Sequence, residues 1–338
     1  MTTGLRVCVV GAGDMGARHL KAWQNVEQTE VVALVEGVRQ RLDQTGQECG
    51  VTGLYLDYKQ AINETKPDVV SVCLPTSFHA PVTIYALENG AHVLCEKPMA
   101  LSLSEAEAMQ AAARKSGLLL AVGFMLRYSP AMARLKEWIA AGKIGHPVMA
   151  VSENFMEIRP KRVMHLKNVN GGPIADFWCH HFDLWRWLFE SEPDSVTGFG
   201  KIFAANKEEV SGMGELAVDT AAVSIKYRSG DIGQFSTSWG LPPALKAWGI
   251  SSDKFIGPDG LIFGDIRKQL TLVCKDGSTE EISHTGLNWW QSEIFAFARA
   301  IRQGGFFTGA AEGIAALKVS LAALEAIDRS NVHSGETN

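Results

Sequence analysis

The chain has 338 residues, of which 46% are hydrophobic and 20% are charged, and its formal net charge at pH 7 is -5. At roughly 150 residues per domain, this length predicts two domains and a large buried core. The net negative charge and the lack of a long basic run argue against nucleic acid or an anionic membrane as the main partner. We therefore expect a small ligand.

The cysteines and the apolar runs of the sequence predict a cytoplasmic protein. No two of the six cysteines form a C-x-x-C pair, and several lie in apolar runs typical of core strands, so we expect reduced thiols. A strand begins within a few residues of Met1, so we expect no signal peptide. The apolar run Gly117 to Leu126 is too short to cross a bilayer.

The first element has the pattern of a strand followed by a glycine turn and a helix. The apolar run Leu5 to Val10 ends at GAGDMG, and Ala17 to Asn25 reads as a helix. The glycines Gly11, Gly13 and Gly16 allow a tight turn, close approach of the backbone to a pyrophosphate and close packing of helix on strand. This pattern predicts a dinucleotide bound at the helix N-terminus.

An acidic residue follows the second strand. Val31 to Val35 ends at Glu36, which lies 20 residues beyond Gly16. A carboxylate at this distance accepts hydrogen bonds from ribose hydroxyls and repels the additional phosphate of NADP, so we predict NAD as the cofactor. Arg39 and Arg41 favour an additional phosphate, which keeps NADP possible.

Strands and helices continue to alternate through the first half of the chain. Strands alternate with helices over Val69 to Leu74, Ala80 to Asn89, Ala91 to Cys95, Ser102 to Ser116 and Leu118 to Val122. This alternation predicts a parallel sheet with helices on both faces, a doubly wound α/β Rossmann domain that we place at residues 1–124.

Several residues with functional potential lie at the ends of these predicted strands. Ligands of such sheets bind beyond the carboxyl ends of the strands, where Pro75, Glu96 and Gly123 lie, so we expect these residues to line one crevice. Lys97 lies just past the strand that ends at Cys95. Because the proline that follows restricts the local backbone, a functional role for Lys97 is favoured over a place on the surface.

The second half of the chain predicts a different domain. A helix over Pro130 to Ala141 comes first, and Arg228 to Asp231 reads as a hairpin turn. The strand-like runs are Val148 to Phe155, Val196 to Phe203, Leu216 to Tyr227 and Ile232 to Trp239, and the final helices are Trp289 to Arg302 and Ala310 to Ile327. We predict an α+β domain over residues 125–338, with a largely antiparallel open sheet backed by helices.

The segment GGPIADFWCHHFDLWRW, Gly171 to Trp187, is the strongest candidate for chemistry in this half. Pro173 suits the first turn of a helix, which we expect to continue to about Glu190. Most of the circumference of this helix is apolar and aromatic, which predicts burial.

A stripe of polar residues runs along this predicted helix. At about 100° per residue, Asp176, His180 and Asp183 fall within about 40° of one direction, whereas His181 points about 140° away. His180 is therefore the candidate rather than His181. The alternative is that Asp176 only stabilises the helix N-terminus and that His180 is a core histidine.

Together these motifs resemble the Gfo/Idh/MocA family, which includes glucose-fructose oxidoreductase and inositol dehydrogenase. The resemblance rests on GAGDMGARH, PTSFHAPVTIYALENGAHVLCEKP, VGFMLRYSP and the D-x-x-x-H-x-x-D motif at Asp176, His180 and Asp183. In that family the lysine of EKP lies beside the nicotinamide and the substrate, and the aspartate and histidine bind and deprotonate the substrate hydroxyl. The resemblance thus implies a catalytic set of Lys97, Asp176 and His180.

The remaining site predictions combine the glycine turn, the strand ends and the resemblance. The predicted cofactor-binding residues are Gly11, Gly13, Asp14, Met15, Gly16, Glu36, Pro75, Thr76, His79, Glu96 and Lys97. The predicted substrate-binding residues are Arg127, His165, Trp178 and Asp183, with Trp239 as a further candidate for the pocket. Trp178 stands where the family usually has glycine, and Asn170 departs from the start of the glycine run, so the resemblance does not identify the substrate. We expect no metal site.

The resemblance implies an NAD(P)-dependent dehydrogenase that oxidises a secondary alcohol of a sugar, an inositol or a related polyol. It also implies a homodimer or homotetramer formed through the open sheet. The same residues would serve a reductase of a ketosugar or another carbonyl compound. A non-catalytic cofactor-binding regulator is the alternative from another class, and the retention of Lys97, Asp176 and His180 together argues against it.

Overall fold

The computed structural model describes residues 4–246, 249–283 and 288–333. The chain divides into two compact units, which are described separately below. The first unit comprises Met1–Tyr128 and Asn288–Leu317, and the second comprises Ser129–Leu287 and Lys318–Asn338. The functional boundary at residue 124 stays a prediction.

The first unit contains a six-stranded sheet in which every pair of neighbouring strands is parallel. Its strands are β1 (Leu5–Val10), β2 (Thr29–Val35), β3 (Leu54–Tyr55), β4 (Val69–Val72), β5 (His92–Cys95) and β6 (Leu120–Val122). The strand order is β3-β2-β1-β4-β5-β6. The direction of the order reverses between β1 and β4, and ligands of open parallel sheets bind at the carboxyl ends beside such a reversal.

Helices lie close to each position where the sequence predicted one, except that the helix expected from Pro173 is divided in two. The described helices are α1 (Asp14–Gln24), α2 (Arg39–Cys49), α3 (Tyr58–Thr65), α4 (His79–Glu88), α5 (Leu103–Ser116), α6 (Pro130–Ala140), α7 (Gly172–Asp176), α8 (Cys179–Phe189), α9 (Trp289–Gln303) and α10 (Ala310–His333). Of these, α2 and α3 were not predicted. Among these helices, none is both long enough and apolar enough to cross a bilayer.

Helix α9 is part of the core of the first unit. Its residues Ile294 and Phe297 are fully buried in the same cluster as the central strands of the sheet. At the start of α9, the Gln291 side chain donates to the Ala22 carbonyl at 2.9 Å. At its end, Arg302 donates to the carbonyls of Glu27 and Gln28. Burial of a phenylalanine such as Phe297 contributes about 1.5–3 kcal/mol, so α9 stabilises the sheet that carries the glycine turn.

The second unit contains an eight-stranded sheet that is mostly antiparallel. Its strands are β7 (Met149–Glu157), β8 (Pro193–Lys201), β9 (Thr220–Tyr227), β10 (Ile232–Leu241), β11 (Ile250–Gly257), β12 (Gly260–Asp265), β13 (Gln269–Cys274) and β14 (Thr279–Ser283). The order is β14-β13-β12-β11-β7-β10-β9-β8, and β7 and β10 form its parallel pair. The predicted fold class, a Rossmann domain followed by an α+β domain with a largely antiparallel sheet, is confirmed.

The single helix expected from Pro173 to about Glu190 is wrong, because the structure has two helices, α7 and α8. At the junction, the Trp178 N–H donates to the Pro173 carbonyl at 3.0 Å, five residues back, and the His180 N–H donates to the Phe177 carbonyl at 3.3 Å, three residues back. These spacings replace the regular four-residue spacing of an α-helix, which interrupts the helix between Asp176 and His180.

Helix α8 packs onto one face of this sheet. The Trp185 ring stacks on Phe235 of β10, with 3.8 Å between the ring centroids. A Cβ at Gly233 would lie 2.6 Å from Trp185, so a glycine on β10 makes room for the indole. This contact fixes α8 close to the sheet and sets the position of its polar residues.

Candidate active site

The glycine turn after β1 has the geometry that a bound dinucleotide requires. Gly11 has a φ of +106°, and a Cβ there would lie 2.3 Å from the Cys73 carbonyl oxygen. A Cβ at Gly16 would lie 1.7 Å from the Gly11 carbonyl oxygen, whereas a Cβ at Gly13 would have no neighbour within 4 Å. Gly11 and Gly16 are therefore required by internal packing. The open space at Gly13, at the N-terminus of α1, fits the close approach of a pyrophosphate.

The Glu36 carboxylate lies at the end of β2, beside this turn. It accepts hydrogen bonds from the backbone N–H groups of Ala12 and Val38, both at 3.1 Å. The guanidinium of Arg41 lies 3.4 Å from the Glu36 carboxylate, and that of Arg39 lies 2.9 Å from the carboxylate of Asp43 in α2. The position of Glu36 fits a ribose-binding role, and the two neighbouring arginines are both engaged with carboxylates, which supports NAD over NADP.

The turn after β5 is anchored by a buried network. The Nε2 of His19 lies 3.0 Å from Glu96 Oε1, and its Nδ1 lies 2.9 Å from Ser71 Oγ, which also accepts the Trp23 indole N–H at 3.0 Å. The Lys97 N–H donates to Glu96 Oε2 at 3.2 Å. Burial raises the pKa of Glu96, but the hydrogen bond and charge of His19 oppose it, and the net pKa lies below its ordinary value.

His79, at the start of α4, bridges two loops. It is 1% exposed, with Nδ1 2.9 Å from the Pro98 carbonyl oxygen and Nε2 2.8 Å from the Leu74 carbonyl oxygen. Burial lowers the pKa of His79, and the two carbonyls only partly offset this effect. Of the other predicted cofactor contacts, Thr76 is 2% exposed at the start of the turn before α4, directly after Pro75.

A second buried carboxyl group lies in the first unit. Glu293 of α9 is 1% exposed, and within the described residues neither of its carboxyl oxygens has a hydrogen-bond partner. Burial, and then the negative charge of Glu96, raise the pKa of Glu293 well above its ordinary value. Glu293 is therefore protonated under conditions in which Glu96 is ionised.

Glu293→Gln is expected to raise the free energy of unfolding at pH 7, with the gain disappearing below pH 4. Because the folded-state pKa of Glu293 is raised, its favourable contribution is complete below the unfolded pKa of about 4.3 and is lost as the pH rises towards the folded-state pKa. Glutamine has nearly the same shape and does not ionise. Urea unfolding of both proteins between pH 4 and pH 8 measures the difference.

Glu96→Gln is the matched control for this experiment, with the opposite sign. The folded-state pKa of Glu96 is lowered, so its contribution is present above the unfolded pKa and is lost as the pH falls through the folded-state pKa. The control should therefore lose stability at pH 7. Parallel pH profiles for wild type and Glu293→Gln would contradict the raised pKa of Glu293.

In the second unit, the junction between α7 and α8 carries the polar motif. Asp176 is 6% exposed and accepts a hydrogen bond from the Asn170 side chain at 2.9 Å. The guanidinium of Arg159 lies 3.9 Å from its other carboxylate oxygen. His180, in the first turn of α8, is 5% exposed. The unusual Asn170 thus contacts Asp176 directly, which gives this departure from the family pattern a physical role.

The neighbouring His181 faces the sheet. Its Nε2 lies 3.7 Å from Asp253 of β11, and its ring stacks on Phe177 with 5.4 Å between centroids. Burial lowers the pKa of His181, and Asp253 partly offsets this effect. His181 is therefore part of the packing between α8 and the sheet.

The predicted substrate residues come from both units. Arg127 lies in the turn Met125–Tyr128 of the first unit. In the second unit, His165 is 3% exposed and its Nε2 accepts the Arg159 backbone N–H at 3.0 Å, so it is a buried residue. Asp183 of α8 is 1% exposed.

The two tryptophans considered for the pocket are core residues of the second unit. Trp178 is 1% exposed and packs edge-on against Phe235, with 4.7 Å between centroids, and Trp239 is fully buried. Tryptophans with so little exposure offer little surface for stacking on a sugar. Direct contact of Trp178 with substrate stays a prediction.

Sequence reasoning missed several residues of these networks. His19 and Ser71 belong to the network behind Lys97, and Arg267, in the turn before β13, places its guanidinium 4.4 Å from the Phe177 ring centroid. His19 could have been found, because it lies three residues after Gly16 on the buried face of α1. No pattern in the sequence indicates Arg267.

The described part of the chain has no evident ligand set for a metal ion. Over residues 4–246, 249–283 and 288–333, no group of three or more histidine, cysteine, aspartate or glutamate side chains could hold one.

Two family models match the chain. Residues 5–124 match the model of an oxidoreductase family with an NAD-binding Rossmann fold, and residues 132–257 match the GFO/IDH/MocA C-terminal domain. The first range contains the glycine turn and Lys97, and the second contains Asp176 and His180.

Individual relatives agree with these matches. The chain is 31% identical over 283 residues to scyllo-inositol 2-dehydrogenase (NAD(+)) of Bacillus subtilis, which covers 82% of this chain and 79% of that protein. It is 27% identical over 277 residues to Myo-inositol 2-dehydrogenase of Thermotoga maritima, covering 80% and 78% of the two chains. The structure of levoglucosan dehydrogenase in complex with NADH and levoglucosan superposes with a TM-score of 0.84 at 20% identity, over 96% of this chain and 98% of that one.

Proposed function

Because this chain belongs to the Gfo/Idh/MocA family of NAD-binding oxidoreductases, we propose that it oxidises a secondary alcohol of a sugar, an inositol or a related polyol. The observation that carries the proposal is the presence of a dinucleotide turn that is open at Gly13 together with the Asp176 and His180 motif in one chain. The inositol dehydrogenases among its relatives support the substrate class.

In the proposed mechanism, His180 accepts the proton of the substrate hydroxyl. An imidazole suits this role because its ordinary pKa lies near neutral pH. Asp176, which is held by Asn170 and Arg159, orients the imidazole or the substrate. Lys97 stabilises negative charge that develops on the substrate oxygen. NAD, when bound, supplies the acceptor for the hydride.

A panel of polyols, aldoses and inositols tested with NAD and with NADP examines this proposal. Nicotinamide absorbance should rise with at least one of these substrate classes, and NAD should be preferred because of Glu36 and its backbone contacts. Turnover only with NADH and a ketose would instead indicate the reductase. A protein that binds NAD in titration and turns over no polyol, aldose, inositol or ketose would be a regulator.

We also propose that the chain assembles into a homodimer or homotetramer in the cytoplasm. Large apolar side chains are exposed on strands of the eight-stranded sheet: Phe199 is 72% exposed, Phe263 42% and Ile256 41%. Exposed apolar surface of this kind is typical of interfaces between subunits. All six cysteines are free thiols, which supports a reducing compartment. Sedimentation velocity would report the mass, and a monomer would contradict the assembly.

A further inference from the structure

Two buried histidines hold the residues on either side of Lys97. Glu96, which precedes the lysine, has its carboxylate 3.0 Å from His19 Nε2. Pro98, which follows it, has its carbonyl oxygen 2.9 Å from His79 Nδ1. His19 is fully buried and His79 is 1% exposed, so water does not compete for these contacts.

The second nitrogen of each histidine contacts β4 or the residues just after it. His19 Nδ1 lies 2.9 Å from the hydroxyl of Ser71 in β4. His79 Nε2 lies 2.8 Å from the carbonyl oxygen of Leu74, two residues beyond the end of β4. The two rings therefore lie between the turn that carries Lys97 and the neighbouring strand. Since both partners of His79 are carbonyl acceptors, a neutral ring donates to one of them at a time. One ring comes from α1 and the other from α4.

We propose that His19 and His79 are positioning residues that hold the backbone of Lys97 in place for its reaction. The inference rests on the catalytic role proposed for Lys97. A lysine side chain has several rotatable bonds, so the direction in which it leaves the backbone decides where its ammonium group can reach. A displacement of about 1 Å at a reacting group costs about 100-fold in rate, so loss of either contact should lower turnover.

Neither histidine acts as an acid or base in this scheme. Both nitrogens of each ring lie within hydrogen-bond distance of protein groups, and both rings are buried. A proton-transfer group has to reach the reacting atoms, whereas a positioning group has to reach the residues beside them. The geometry of His19 and His79 meets the second requirement.

Asparagine and glutamine distinguish the two nitrogens of each ring. The amide of asparagine occupies the place of Nδ1, and that of glutamine occupies the place of Nε2. At position 79, asparagine keeps the contact with Pro98, and glutamine keeps the contact with Leu74. At position 19 the order is reversed, since glutamine keeps the contact with Glu96 and asparagine keeps the contact with Ser71.

The four variants make a crossed test. His19→Gln should keep kcat within about threefold of wild type and His19→Asn should lose about 100-fold, and His79→Asn should keep more of the activity than His79→Gln. NADH affinity, measured by fluorescence, should stay within about twofold in both His19 variants. Both variants of a pair lack the same imidazole, so a purely structural role would lower kcat to the same extent in both. Thermal melting checks folding, and either pair suffices to decide if one variant does not fold.

A second measurement needs no substrate. The rate at which an amine-reactive reagent labels Lys97, followed by mass spectrometry, should rise several-fold only in His79→Gln and His19→Asn, because the released turn exposes the lysine. Equal labelling within each pair would overturn the inference. Full turnover in Lys97→Met would overturn the catalytic role of Lys97, and the labelling pattern would still decide whether the two histidines hold its backbone.

Discussion

His180→Ala should lower turnover by about 10²–10⁴-fold, the range expected when a general base is removed. The affinity for NAD should stay within about twofold, because the residues predicted to hold the dinucleotide are those of the glycine turn and Glu36, and His180 is not among them. Steady-state kinetics with the best substrate of the panel, together with NAD titration, measure the two effects separately. The expected result is a loss in kcat without a loss in cofactor binding.

His181→Ala is the matched control on the same helix. Its ring packs against Phe177 and lies 3.7 Å from Asp253, so its removal should lower stability by about 1–3 kcal/mol, while Asp253 keeps its hydrogen bonds from the Ser152 hydroxyl and the Ile266 backbone N–H. The kcat of the folded fraction should change little. If His180→Ala lost cofactor affinity and turnover to the same extent, or if His181→Ala lost turnover more strongly, His180 would not be the base.

The same pair of variants separates an enzyme from a regulator. A regulator that uses the family fold as a sensor would bind NAD but would show no hydride transfer. Its function would therefore not change when His180 is replaced. Asp176 favours the enzyme over the regulator. Burial of its carboxylate beside Asn170 and Arg159 costs desolvation free energy on folding. The proposed role of Asp176 in orienting the imidazole or the substrate accounts for this cost.

The first half of the fold was predictable because local patterns determine it. A buried strand, three glycines at fixed spacing and an acid after the next strand describe contacts among neighbouring segments, and the structure has them at Gly11, Gly16 and Glu36. The contacts of His19 were not predictable in the same way. Its partners Ser71 and Glu96 are 52 and 77 residues away, so they become neighbours only when the parallel strands assemble.

The second half was less predictable, for two physical reasons. Helical periodicity does not register a local change of hydrogen-bond spacing, so the interruption at Phe177 and Trp178 is invisible in the sequence pattern. The strands β11 to β14 were not predicted, because polar or small residues such as Asp253 and Gly264 occupy positions within them. The turns Pro258 to Gly260 and Lys275 to Gly277 contain Asp-Gly pairs, and this hairpin signal could have revealed two of the connections.

The glycine turn offers the second large effect, through a pair of substitutions that separate cofactor binding from folding. Gly13→Ala should fold normally, with a cost of about 1 kcal/mol or less for alanine at a helix N-cap, since its Cβ would meet nothing within 4 Å. NAD affinity should nevertheless fall by about 100-fold, or about 2.7 kcal/mol, because the methyl group occupies the space that a pyrophosphate needs. Titration calorimetry with NAD and urea unfolding measure the two quantities.

Gly16→Ala is the partner of this experiment, with the reverse expectation. Its Cβ would lie 1.7 Å from the Gly11 carbonyl oxygen, and a backbone atom cannot move aside as the end of a side chain can. The stability of the fold should therefore fall by at least about 3 kcal/mol, the upper end of ordinary overpacking costs. If Gly13→Ala bound NAD as wild type does, the open space at Gly13 would not be the pyrophosphate position, and the nucleotide would have to be held elsewhere along the strand ends. Because Gly13→Ala is expected to keep its fold, a loss of NAD affinity in this variant could not be attributed to misfolding.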